Sequence, residues 1–323
     1  MGDEGDGKRD AMSILTTPRP HDPATSSASP LRAWLYLIAF SFRRQARVRQ
    51  MVGIAIGLLA ICLLLVGAFT VANRGWDREE ARLDRIKPYT VEHVAGGMAH
   101  QAIKQSEYMD RLKQESQPLA VFSRWVVFLL FLGFLLPLFS LSFAAGAFGH
   151  EREGRSMVWL MTRPQPRSAV YLAKFLGGLP WCLGLTVGGF ALLCLAGGAT
   201  GRQAFFLYAP GVFAGSLAFA AIFHLFGALF PRPAIVGLLY AFFFETLLSE
   251  LPIPGTLKRL SINYYTRCLL YSAAEGENVP TETSSLFVPV SPTTAWIVLL
   301  GATVGLTALG MWLFARSEYR DDV

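Results

Sequence analysis

Two ionisable side chains stand inside long apolar stretches of this chain, His224 and Glu245. A charge near the centre of a bilayer costs roughly 2.5–3.5 kcal/mol on insertion scales, so such groups usually face a bundle interior or a cavity. Each has two open readings. Glu245 is either a polar group on a substrate path, or a carboxylate that reaches the outer headgroups with Glu250 or pairs with Lys258 or Arg259. His224 either shares that path or is a neutral imidazole bonded to a nearby hydroxyl. Enzymatic chemistry has little support. His150-Glu151 opens like the zinc-protease helix His-Glu-x-x-His, but Gly154 occupies the place of the second histidine. The sequence contains neither Gly-x-x-x-x-Gly-Lys-Ser/Thr, which cradles nucleotide phosphates, nor the nucleophile elbow Gly-x-Ser-x-Gly. Cys62, Cys182, Cys194 and Cys268 have neither disulfide-framework nor zinc-site spacing. No catalytic residue, metal ligand or resident cofactor is expected.

The most polar short connection between two apolar runs is residues 148–174. Its charges are Glu151, Arg152, Glu153, Arg155, Arg163, Arg167 and Lys174, a basic excess that places it on the cytoplasmic side. Between them lies Ser156-Met157-Val158-Trp159-Leu160-Met161, an apolar turn and a half. Pro164 and Pro166 then break any helix, because proline lacks the backbone donor and biases the preceding residue away from helix. The pattern predicts a short amphipathic helix at the cytoplasmic face, a rigid break, and a new membrane helix. Such a helix either lies on the bilayer or plugs into a soluble partner.

The elements that must hold these residues follow from composition. The 323-residue chain is 53% hydrophobic and 16% charged, against about a quarter charged in an average soluble domain. Its mean hydropathy is +0.39. Several runs reach the roughly 20 apolar residues that cross a bilayer. The net charge of +6 fits cytoplasmic Lys and Arg of a membrane protein and gives no reason to expect nucleic acid as a partner. The predicted fold is an all-α polytopic membrane protein with six transmembrane helices, at about 52–72, 125–148, 168–198, 204–230, 234–251 and 294–315. Residues 1–30 read as a disordered cytoplasmic tail, and 31–323 as a single membrane domain. Residues 31–50 combine Trp34 and Tyr36 with Arg43, Arg44, Arg47 and Arg49. They predict an amphipathic interfacial helix, or else a basic flank that only orients the first span. The loops 73–124 and 252–292 fall outside by alternation, and 257–271 has the spacing of an amphipathic or partly re-entrant segment. Both termini are expected in the cytoplasm, with the chain multi-pass in the cell (inner) membrane.

The stretch from Glu151 to Lys174 resembles the cytoplasmic loop of ABC-2 type permeases, the membrane subunits of one class of ABC exporters. The matching residues are Glu151-Arg152-Glu153, Leu160-Met161, Thr162-Arg163-Pro164, Arg167 and Lys174, while Arg155-Ser156 stands where the family tends to have Gly-Thr. The six-span plan, the amphipathic first helix, the large first outer loop and Phe314-Ala315-Arg316 near the end are similar to the family as well. The resemblance implies an ATP-driven exporter in which a separate ABC ATPase subunit binds the ATP and a second permease subunit, alike or different, completes the membrane part. It implies that the segment between spans 2 and 3 is a coupling helix in a groove of the ATPase. Met157 and Trp159 would then be its apolar knobs, with Glu151, Arg152, Arg155 and Arg163 charged around them. Membrane lipids are the remaining expected partners. The alternative is a non-transporting membrane scaffold or assembly factor, which needs no ATPase. The substrate is not legible.

Overall fold

A computed structural model describes residues 30–45, 49–83, 118–144, 166–247, 258–277, 279 and 289–316. Among them every regular element is helical. They are α1 (Pro30–Gln45), α2 (Arg49–Leu83), α3 (Pro118–Ala144), α4 (Arg167–Ala196), α5 (Gly198–Leu229), α6 (Pro233–Leu239, continuing through Tyr240–Leu247), α7 (Ile262–Ala274) and α8 (Pro292–Arg316). In lipid, a helix satisfies its own backbone hydrogen bonds, which no open strand can do. Hydroxyls inside the bundle follow the same rule. Thr186, Ser216, Thr303 and Thr307 each donate to the carbonyl four residues back, at 2.7–2.9 Å.

Among the described residues, five helical stretches are long and apolar enough to cross a membrane: Gly53–Ala72, Pro118–Ala144, Arg167–Ala196, Gly198–Leu229 and Pro292–Arg316. The run predicted as a fifth span, 234–251, is helical as far as it is described, over Pro233–Leu239 and Tyr240–Leu247, with an apolar helix at Pro233–Glu245. At about 1.5 Å per residue that apolar part covers roughly 20 Å of the roughly 30 Å hydrocarbon layer. Residues 248–257 lie outside the described part. A difference concerns the turn expected at 199–203, which is helical. The break falls at Gly197, and Gly198 has φ 69°, a left-handed conformation that a residue with a Cβ adopts only at a cost. The reversal therefore takes two residues, and α4 and α5 pack along each other as a hairpin.

Helix α5 is the hub, packing against α3, α4, α6, α7 and α8. Small residues on one face, Gly211 and Gly215, admit α7. A Cβ added at Gly211 would meet Leu270 Cδ1 at 2.5 Å, and one at Gly215 would meet Thr266 Oγ1 at 2.7 Å. Aromatic rings fill the remaining interior. Phe131 lies 4.8 Å from Phe190, and Phe128 stacks on Tyr271 at 4.5 Å. Ser123 and Tyr208 share a buried hydrogen bond of 2.8 Å.

Helix α1 is strapped to α4. Trp34 donates its indole N–H to the Ala169 carbonyl at 2.8 Å. Trp181 of α4 donates to the Phe42 carbonyl at 3.0 Å, and the two rings stack 5.1 Å apart. Tyr36, Phe40 and Leu35 on the opposite face of α1 are exposed.

Candidate functional site

Helices α6 and α7 occupy successive depths along α5. Tyr240 of α6 packs on Phe223 and Phe226, near the C-terminal end of α5. Past the end of α7, Glu277 accepts a hydrogen bond from Gln203, near the other end of α5. From 203 to 226 at 1.5 Å per residue is about 35 Å, enough for the two short helices in series to cover one bilayer thickness. Where they meet, the first turn of α7 lies inside the bundle. Such a terminus carries backbone N–H groups with no partner in the helix and a partial positive charge.

Glu245 meets both needs. Its buried carboxylate accepts from Ile262 N at 3.0 Å, Asn263 N at 2.9 Å, Ser261 Oγ at 2.6 Å and the Tyr240 hydroxyl at 2.5 Å. Ser261 is the N-cap, and its Oγ accepts from Tyr264 N at 3.1 Å while donating to Glu245. The carboxylate lies at 0% exposure with four donors arrayed on it. Its surroundings make it a cap that fixes the position of α7.

Beside this joint is a cavity of about 670 Å³ between α2, α3, α6 and α7. Its walls include Leu65 and Phe69 of α2, Trp125, Leu129 and Phe134 of α3, and Phe242 of α6. Two polar side chains of α7 enter it one turn apart, Asn263 and Arg267. Asn263 is fully buried, and neither its Oδ1 nor its Nδ2 has a hydrogen-bond partner among the described residues. Arg267 is buried too, and is the charged residue among those described that line the cavity. Neither Glu245 nor His224 lines it. Arg267 belongs to the stretch predicted as amphipathic or partly re-entrant, but neither it nor Asn263 stands out in the sequence as a site residue. The available signal was Ser261, a good N-cap residue directly before an amphipathic run.

His224 lies elsewhere, on α5 against the N-terminal half of α4. Its ring sits 4.7 Å from Tyr171 and 5.3 Å from Phe175, at 2% exposure. The void next to it measures about 10 Å³, barely the volume one water needs. Lys174 of α4 is buried in the same region.

The residues expected to couple to a partner, Glu151, Arg152, Arg155, Met157, Trp159 and Arg163, lie outside the described residues, as do residues 1–29. The helices that flank that segment are described, and α1 ties them together. Gln45 donates to the Phe143 carbonyl in the last turn of α3 at 2.7 Å, and Trp34 holds Ala169 in the first turn of α4. One helix thus grips both ends of the connection.

Residues 44–319 match the family described as ABC-2 family transporter protein. That match spans most of the 323 residues. The chain belongs to the ABC-2 transporter family. Among individually curated proteins, none matches. The five described helices that are long and apolar enough to cross a membrane agree with a membrane protein of that family, whose permeases generally form the non-catalytic transmembrane component and work with an ABC ATPase.

Proposed function

We propose that this chain is the permease subunit of an ATP-driven exporter and that it takes up work through residues 145–165. The observation that carries this reading is the clamp of α1 on both flanks of that connection, at Phe143 and at Ala169. A force on the connection from a docked ATPase would reach α3, α4 and α1 together, and through α4 the hub helix α5. Met157 and Trp159 would seat in the ATPase groove, with Glu151, Arg152, Arg155 and Arg163 as the charged surround. ATP would be bound and hydrolysed by that separate subunit, with no cofactor in this chain. A second permease, the same or different, would complete the translocation unit in the cell inner membrane. In this topology α6 and α7 act as one crossing, so the chain passes the membrane six times with both termini in the cytoplasm.

The test is affinity purification of the full chain from its native membranes, followed by assay of ATP hydrolysis. A P-loop ATPase is expected to co-purify, and Trp159→Glu is expected to lower its recovery at least five-fold at unchanged permease level. Recovery of intact permease with no ATPase would favour a scaffold or assembly factor instead.

A further inference from the structure

We propose that the cavity at the α6–α7 joint binds an amphiphile with an anionic headgroup, held at the head by Asn263 and Arg267 and along its tail by the aromatic and aliphatic walls. The volume, about 670 Å³, falls within the roughly 300–1,000 Å³ typical of small-molecule sites. The division of surface is that of an amphiphile. Leu65, Phe69, Trp125, Phe134 and Phe242 form an apolar lining, and the polar groups converge at one place, one turn apart on α7. Buried carboxamides are almost always hydrogen-bonded, so the unpartnered atoms of Asn263 mark a place where a ligand supplies the missing partners. A carboxamide alone would accept a neutral headgroup. The guanidinium of Arg267 adds positive charge, and no acidic residue is among the described residues that line the cavity, the Glu245 carboxylate being taken up by its four donors behind the α7 backbone, so a carboxylate or phosphate head is favoured.

Access is from the side. Leu65, Trp125, Leu129 and Phe242 are each 47–60% exposed and apolar, so the mouth opens where hydrocarbon lies. Glu245 has a positioning role, since it caps the helix that presents Asn263 and Arg267. The inference rests on the permease reading only in making the ligand a candidate cargo. Binding needs no ATPase, so the two fail separately.

The experiment uses the full chain in phosphatidylcholine nanodiscs and two photoreactive probes, a diazirine-bearing hexadecanoic acid and the matching hexadecanol. Labelled peptides are mapped by mass spectrometry at a pH where the acid is ionised. Labelling is normalised to exposed positions of α8 such as Ile297 and Val304. The acid is expected to label the walls around Leu65–Phe69 and Trp125–Phe134 at least five-fold more than the alcohol. Asn263→Leu, close to isosteric, is expected to cut that excess at least three-fold. Arg267→Gln should abolish it and Arg267→Lys should retain part of it. Equal labelling by acid and alcohol would overturn the proposal, as would an excess unchanged in Asn263→Leu. Absence of wall labelling together with efficient disulfide crosslinking between copies carrying Leu65→Cys or Trp125→Cys would overturn it in favour of a second copy filling the cavity.

Discussion

At the residue scale, Glu245 is the side chain whose meaning depends most on its surroundings. In sequence it is a carboxylate in an apolar run, and such residues suggest a transport path. Its four donors make it a cap, and two of them are backbone N–H groups 17 and 18 residues further on. No local pattern reveals that pairing, because it depends on the approach of α7. Removing the acceptor leaves buried donors unmade, at about 1–3 kcal/mol each. Glu245→Ala is therefore expected to destabilise the purified protein by at least about 3 kcal/mol. Glu245→Gln, which keeps one acceptor oxygen, should cost less. Thermal unfolding in detergent checks the order. An unchanged melting temperature for Glu245→Ala would mean that the carboxylate does not hold the helix. Asn263 predicts the reverse sign. Its carboxamide is buried without partners, so in ligand-free protein Asn263→Leu is expected to be neutral or to stabilise by about 1–3 kcal/mol. The same unfolding measurement checks this, and a clear destabilisation would reveal a hidden partner for Asn263.

At the scale of elements, hydropathy located the apolar runs, because a spanning helix needs length and few charges, and both are visible in sequence. It does not register the change inside α6, where residues after 239 remain apolar while the helix goes over to wider turns. Glycine spacing alone does not show where helices meet within the chain. The pairs Gly53/Gly57 and Gly301/Gly305 have the spacing for close helix approach, yet a Cβ at any of them meets nothing within 4 Å in this chain. Close approaches are made at other glycines, among them Gly177, where α1 crosses with Ser41 Cβ at 2.8 Å, Gly211 and Gly215. Small size permits contact, but packing partners decide where it is used. Two predictions belong here. Gly198→Ala forces a Cβ onto a left-handed residue and should cost about 1–2 kcal/mol, with Gly198→Asn milder, as read by the unfolding temperature. Gly177→Leu should lift α1 from α4 and expose it. Faster hydrogen exchange over residues 31–45 would report the release, and unchanged exchange would mean that α1 is held by other contacts.

At the scale of the whole molecule, the helices form one bundle around α5, with work expected to enter at one end and a ligand cavity deeper in the bundle. The hub connects the two. It packs on α4, which follows the connection 145–165, and on α7, which carries Asn263 and Arg267. The family was legible because the charged connection and the order of apolar runs survive as local patterns. The cavity was not, because its walls come from four helices distant in sequence.

The account stands on the side of the membrane from which residues 145–165 are gripped. The described cysteines, Cys62, Cys182, Cys194 and Cys268, are all buried, so a cysteine introduced at Trp159 would react against a low background. The deciding measurement is labelling of Trp159→Cys by a membrane-impermeant maleimide in intact cells and in inside-out vesicles, with and without the ATPase subunit. Labelling is expected in vesicles alone, and at least five-fold slower once the ATPase is bound. Labelling in intact cells would contradict the account.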